Sequence, residues 1–206
     1  LIKTIWMSKK PLILGIESSC DETAASLITE NEQGIPIVLS NIISSQVEIH
    51  KEFGGVVPEL AARSHMEKID WIVQKAIDDS GRKIEEIDAV ASTAGPGLIV
   101  CLSVGLSFGK AFASAINKPF IAVNHLEGHA LSPKLNSKLN YPYLLLLISG
   151  GHSQFLNVQN LGEYKRLGTT IDDALGEAFD KTAKLLGIEF PGGPQIEIMA
   201  KKGNPN

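Results

Sequence analysis

Two histidines four residues apart, in His125-Leu126-Glu127-Gly128-His129, carry the most specific chemical signal in this sequence. On a helix, positions i and i+4 share a face, so both imidazoles can address one metal ion. The pattern differs from the zinc-protease motif H-E-x-x-H, in which the glutamate sits next to the first histidine. Glu127 lies two positions on, at the far side of the same helix, and is badly placed to act as a protease base. Two histidines also fall short of the three protein ligands usual at a catalytic metal. The competing reading is a pair of helix-cap or surface histidines.

Glycine loops form the second group of candidates. Ser149-Gly150-Gly151-His152 follows an apolar run, and its backbone N–H groups could cradle a phosphate or an acyl carbonyl. A tight hairpin would use the same residues. Glu17-Ser18-Ser19-Cys20-Asp21-Glu22-Thr23 ends another apolar run, with Ser18, Ser19 and Asp21 as candidate contacts to phosphate or metal-bound water; a simple polar turn is the alternative. Asp172-Asp173 precede a helix, and Asp173 suits its N-cap. Asp180 lies two turns further on, either paired at the surface or turned towards a cleft. Pro191-Gly192-Gly193-Pro194 reads as a rigid turn that offers backbone to a ligand. Convergence of these segments on one cleft is the expectation.

The elements that must position them follow from periodicity. Residues 11–16 read as a buried strand, 24–28 and 37–43 as two more joined through a turn at 31–34. Val57, Leu60, Ala61, Ser64, Ile69, Ile72, Val73, Ala76 and Ile77 recur at threes and fours, one helix face, closed by Ser80-Gly81. A strand at 88–92, a turn at Gly95-Pro96-Gly97, a small-residue helix over 98–116 and a strand at 120–123 come next. His125 is expected to open a helix running to about residue 139. The pattern then restarts, with strands at 143–148, 154–158 and 164–167 and a helix over 173–186. This weak internal repetition predicts two related α/β lobes, 11–140 and 141–206, behind an N-terminal extension at 1–10. Three strands and one helix leave a sheet face uncovered, so the second lobe is expected to be truncated.

Composition narrows the function classes. The 206 residues are 44% apolar and 20% charged, with a net charge of −4 and a pI near 5.8. That balance excludes a protein that coats nucleic acid electrostatically, so any contact with nucleic acid must be local or shared with a partner. No apolar run of about eighteen residues occurs, and no membrane span is expected. Cys20 and Cys101 form neither a CxxC pair nor a disulfide framework, which reads as reduced thiols in the cytoplasm. The first ten residues are too short to argue for a mitochondrial transit peptide.

Several long motifs together resemble the TsaD family, formerly labelled O-sialoglycoprotein endopeptidase or glycoprotease. They are Gly15-Ile16-Glu17-Ser18-Ser19-Cys20-Asp21-Glu22-Thr23, Gly54-Gly55-Val56-Val57-Pro58-Glu59-Leu60-Ala61, Thr93-Ala94-Gly95-Pro96-Gly97-Leu98, Asn124-His125-Leu126-Glu127-Gly128-His129, Ser149-Gly150-Gly151-His152 and Gly176-Glu177-Ala178-Phe179-Asp180-Lys181-Thr182-Ala183-Lys184. The resemblance runs in one register from about residue 12 to 203. It implies an actin-like (ASKHA, ribonuclease H-like) α/β fold of two lobes, the first complete and the second truncated. It implies an acyltransferase that moves threonylcarbamoyl from threonylcarbamoyl-AMP to N6 of an adenosine beside the tRNA anticodon.

By the same resemblance His125 and His129 bind a divalent metal, iron ahead of zinc. Leu147, Ile148, Ser149, Gly150, Gly151, Asp180 and Gly193 line the substrate site. Partners would be tRNA, threonylcarbamoyl-AMP and accessory proteins of the TsaB and TsaE type. A further metal-ligating Asp and a glycine-turn Asn of the family are expected beyond residue 206, so these residues alone should bind metal weakly and transfer nothing. The rival readings are a metal-dependent glycoprotease, a small-molecule kinase of the same fold and a non-catalytic scaffold; the last would not be expected to keep both histidines.

Overall fold

The computed structural model describes residues 10–204; the extension expected at 1–10 therefore lies, except for Lys10, outside the described residues. The chain forms two compact units. One holds the residues up to Gln46 together with Val57–Lys138, the other Val47–Val56 with the residues from Leu139 onward.

The first unit is built on a five-stranded sheet in the order β3-β2-β1-β4-β5. The strands are β1 (Ile13–Glu17), β2 (Glu22–Glu30), β3 (Pro36–Ser45), β4 (Ala89–Gly95) and β5 (Phe120–Asn124). β1, β2 and β3 form an antiparallel meander, while β4 and β5 run parallel to β1. This mixed order is that of a ribonuclease H-like, actin-like lobe. A short helix α1 (Val47–Lys51) follows β3 and belongs to the second unit; α2 (Pro58–Asp79) and α3 (Ile99–Ala115) cover one sheet face.

The sequence alternation explains that coverage. Leu14 and Ile16 of β1, Ala25 and Leu27 of β2 and Val90 of β4 point to the helical side and meet Ile69, Ile72, Val73, Ala76 and Ile77 of α2. Truncating one of these fully buried aliphatic chains would cost about 2–5 kcal/mol. α3 approaches the sheet through glycines. A Cβ on Gly105 would stand 2.3 Å from Ser18 Oγ, and one on Gly109 would stand 2.2 Å from Ser92 Oγ. On the opposite face lies a 340 Å³ hollow lined by Gly15, Ala24, Ser26, Asn41, Ala91 and Val123 and bordered by Gly128 of the helix that follows β5.

The second unit repeats the opening of the first: an antiparallel meander β6 (Tyr143–Ile148), β7 (Ser153–Asn160) and β8 (Glu163–Thr169), then a helix α5 (Leu175–Leu185). In the first unit β5 runs directly into α4 (His125–Leu131). Three expectations need correction. α4 stops at Leu131 rather than near 139, because Pro133 has no N–H to continue the ladder; residues Ser132–Leu135 turn into a 3-10 helix. Asp173 does not cap α5. The N-cap is Ala174, with no side-chain cap, and the Asp173 carboxylate instead takes the Lys181 ammonium. The turn expected at 191–194 is the first turn of another helix, α6 (Gly192–Ala200). Among the described residues no helix is long and apolar enough to cross a membrane.

Candidate active site

In the first unit the C-terminal ends of the parallel strands β1, β4 and β5 lie side by side and present Glu17, Thr93 and Asn124. Ligands in such sheets sit outside the carboxyl ends of the strands. Asn124 ends β5 and starts α4 in one residue: its Oδ1 accepts from the N–H groups of Leu126 at 2.9 Å and Glu127 at 3.2 Å. That cap satisfies two of the orphan donors at the helix start. His125 is thereby the first helical residue, and His129 stands above it one turn later.

The two rings meet edge to face with centroids 4.6 Å apart, and their Nε2 atoms are 3.1 Å apart. Two adjacent imidazole ligands at metal–nitrogen distances of about 2.0–2.1 Å need nitrogens roughly 2.9–3.4 Å apart for angles between square and tetrahedral. The observed 3.1 Å falls in that range and is equally a hydrogen-bond distance, so one Nε2 can donate to the other until a cation takes both lone pairs. No group of three or more His, Cys, Asp or Glu side chains suited to a metal occurs among the described residues.

The other nitrogen of His125 faces protein. Nδ1 lies 3.4 Å from Glu17 Oε2 and 3.3 Å from Ser19 Oγ. Glu17 also accepts from the Thr93 hydroxyl and the Ser19 backbone N–H. Burial alone would raise the carboxyl, but the hydrogen bonds from His125, Ser19 and Thr93 outweigh it and hold Glu17 down at about 2, so it is ionised.

The loop that follows β1 is braced from three sides. The Leu98 N–H donates to Ser19 O at 2.8 Å, and Gly97 packs so tightly there that a Cβ would stand 2.7 Å from the same oxygen. Ser18 Oγ donates to Cys101 O at 2.9 Å and accepts from the Gly105 N–H at 3.2 Å. The fully buried His65 has Nε2 3.0 Å from Cys20 O, with Nδ1 2.7 Å from Thr23 Oγ1 and 3.3 Å from Gln46 Nε2. Of the three loop residues singled out from the sequence, Ser18 is thus occupied with packing α3, Ser19 stands beside His125, and the Asp21 carbonyl receives the Gln46 N–H.

In the second unit the glycine loop is a tight turn. Ser149 N–H donates to His152 O at 2.7 Å, and His152 N–H to Ser149 Oγ at 3.0 Å. The carbonyls of Ser149 and Gly150 receive the N–H groups of Gly176 and Glu177 at the start of α5. A Cβ on Gly176 would stand 2.8 Å from Gly150 Cα, so glycine lets helix and loop touch. No acceptor among the described residues engages the N–H groups of Gly150 and Gly151. Leu147 is buried in the sheet while Ile148 is exposed, so Leu147 can offer a ligand only its backbone.

Asp180 has a role beyond α5. Its Oδ1 accepts from the N–H groups of Gly192 at 2.8 Å and Gly193 at 3.3 Å, which caps α6 and places a negative charge at its positive end. Asp180 also borders a 660 Å³ pocket with Lys51, Phe53, Lys184, Glu189 and Phe190. The structure thus joins Asp180 to Gly193, sets Ser149, Gly150 and Gly151 against α5, and joins His125 to His129.

Sequence reasoning passed over Glu17, His65 and Thr93 as site residues. The signal for Glu17 and Thr93 is the alignment of parallel strand ends, legible only once the strand order is known. His65 is masked because it falls on the apolar stripe of α2.

Comparison with known proteins gives a consistent family. Residues 37–206 match the family model described as TsaD, tRNA N6-adenosine threonylcarbamoyltransferase. A tRNA N6-adenosine threonylcarbamoyltransferase of Pelagibacter ubique (strain HTCC1062) is 83% identical over 200 residues, which are 97% of this chain and 56% of that protein. One from Brucella anthropi is 60% identical over 193 residues, 94% of this chain and 54% of that protein. Among solved structures, YeaZ from Pseudomonas aeruginosa aligns at 14% identity and a TM-score of 0.47, over 77% of this chain and 64% of that one. The chain spans about half the length of the curated relatives it matches. By sequence the chain belongs to the TsaD family.

Proposed function

We propose that the protein transfers a threonylcarbamoyl group from threonylcarbamoyl-AMP to N6 of an adenosine next to the tRNA anticodon. The observation that carries this reading, beyond family membership, is the His125–His129 pair with Nε2 atoms 3.1 Å apart.

In the reaction the exocyclic amine of adenine attacks the carbamoyl carbonyl, a C–N bond forms, the carbonyl–phosphate C–O bond breaks, and AMP leaves with that oxygen while the amine loses a proton. The donor is already activated, so the protein's task is chiefly positioning and charge stabilisation. The free N–H groups of Gly150 and Gly151 suit a phosphate or oxyanion, a contact of the kind worth roughly 10²–10³ in rate. Asp180, bonded to the Gly192 and Gly193 N–H groups, and Gly192 itself line the 660 Å³ pocket of the second unit. No side chain is assigned as general base.

His125 and His129 would hold one divalent metal, iron in preference to zinc. When bound, that metal supplies Lewis-acid polarisation and a fixed anchor for oxygen groups of the donor. Glu17 and Ser19 keep the His125 ring from turning away. tRNA and accessory proteins of the TsaB and TsaE type are the proposed partners, in the cytoplasm. With a net charge of −4 the chain has little general attraction for nucleic acid, which favours shared holding of the tRNA.

The test is incubation of the full-length protein with threonylcarbamoyl-AMP, its accessory proteins and unmodified tRNA, followed by nucleoside mass spectrometry. N6-threonylcarbamoyladenosine should form with the wild type and drop to background with His129→Ala. Absence of the modified nucleoside alongside cleavage of casein would move the assignment to a peptidase.

A further inference from the structure

The proton inventory around Glu17 points to a specific task for that carboxylate. Ser19 N–H donates to Oε1 and the Thr93 hydroxyl donates to Oε2. A backbone N–H can only donate, and an ionised carboxylate can only accept. His125 Nδ1 lies 3.4 Å from the same Oε2, and Glu17 and His125 side chains are 35% and 24% exposed. An Nδ1 lone pair turned at that oxygen would be repelled, so Nδ1 must carry the ring proton. The Ser19 hydroxyl, 3.3 Å from Nδ1, can accept as well as donate and does not oppose that choice.

We infer that Glu17 is a positioning residue that locks His125 in the Nδ1–H tautomer and so leaves the Nε2 lone pair aimed at the space it shares with His129 Nε2. The tautomer matters because a neutral imidazole can ligate only through its unprotonated nitrogen. Carboxylates behind ligating histidines act in this way, and their loss typically costs 10–100-fold in metal affinity. Three features hold Glu17 itself: its position as the last residue of β1, the Thr93 hydroxyl from β4 and the Ser19 N–H of the braced loop. The device therefore spans the ends of β1 and β4, the loop after β1 and α4 of one unit.

Glu17→Gln discriminates this role from simple packing, since the amide is the same size. It replaces one acceptor oxygen by an NH₂ donor. An amide nitrogen at the Oε2 position opposes His125 Nδ1–H, and one at the Oε1 position opposes Ser19 N–H. Either way the tautomer lock weakens.

The experiment uses full-length protein labelled with ¹⁵N-histidine, metal-free, with two readouts. The nitrogen shifts of His125 should report the Nδ1–H form in the wild type and a mixture or the Nε2–H form in Glu17→Gln. In a parallel titration with Co²⁺ alone, Glu17→Gln should bind 10–100-fold more weakly, and Glu17→Asp should lose less. Only this second readout rests on the metal reading above, which fails separately if His125→Ala leaves Co²⁺ binding unchanged. The inference is overturned if wild-type His125 is found as Nε2–H, a result that needs no variant to fold. It is also overturned if a folded Glu17→Gln keeps the wild-type nitrogen shifts.

Discussion

Substituting Gly105 by alanine tests how closely α3 must sit on the loop that carries Ser19. The new Cβ would stand 2.3 Å from Ser18 Oγ and 3.2 Å from Ser18 Cβ, where ordinary contact begins at 3.4 Å. Relief requires a movement of about 1 Å, and Ser18 is only 1% exposed, so there is no open side to move into. Overpacking of that kind costs roughly 1–3 kcal/mol. Displaced, Ser18 Oγ also gives up its bonds to Cys101 O and the Gly105 N–H, about 1 kcal/mol more. Hydrogen exchange over the β1 and α2 peptides should therefore register a loss of about 2–4 kcal/mol in the first unit. The companion variant Ser18→Ala removes the clashing oxygen. Alone it should cost about 1 kcal/mol for the lost bonds. Combined with Gly105→Ala it should cost at least 1 kcal/mol less than the sum of the singles, the signature of a shared contact. Additivity within about 0.5 kcal/mol would refute the steric argument.

Other consequences can be checked as directly. Ile72→Ala empties a fully buried site between α2 and the sheet and should destabilise the first unit by about 2–5 kcal/mol in the same exchange measurement. Asp180→Ala removes the cap of α6 and should lower protection of the amides of Gly192–Ala200 by about 1 kcal/mol, while Asp180→Asn, which keeps an acceptor, should lose less. Although Cys20 is an exposed residue, partial desolvation of its thiol and the neighbouring Asp21 push it up to about 12, so its alkylation by iodoacetamide at pH 8 should run clearly slower than that of a thiol at the ordinary value. Because the folded thiol is raised above its unfolded value of 9.0, the stability it lends is complete below pH 9 and disappears as pH climbs towards 12; an alkaline melt of Cys20→Ser against wild type reads that difference.

Much of the first unit was legible because its elements obey one period each. The apolar stripe from Leu60 to Ile77 could only be a helix face, and Leu14, Ile16, Ala25 and Leu27 alternate as strands with one buried side do. The small-residue helix expected over 98–116 is α3, and its Gly105 and Gly109 are where it touches Ser18 and Ser92. What was missed lacks a period or mimics another signal. α1 is five residues long, too short for a repeat to register. Pro191-Gly192-Gly193-Pro194 looks like a turn, yet Pro191 is the N-cap of α6 and Pro194 lies in its first turn, where a missing N–H costs nothing. Asp173 suited a cap by type, but Lys181 eight residues on competes for its charge.

The site was legible in part. The spacing of His125 and His129 gave their common face, and Asn124 supplies the cap that fixes where the helix starts. The carboxylate behind them was not legible, since Glu17 is 108 residues away and only the parallel alignment of β1, β4 and β5 brings it there. Asp180 was read as a candidate substrate contact; its bonds to Gly192 and Gly193 give it a structural task that no spacing rule announces.

The most direct measurement is X-ray absorption spectroscopy on the iron-loaded full-length protein. The account predicts the outer-shell scattering of two imidazole rings, lost in part with His125→Ala or His129→Ala and retained with Glu127→Ala. An iron site without imidazole scattering, or one that both histidine substitutions leave unchanged, would contradict it.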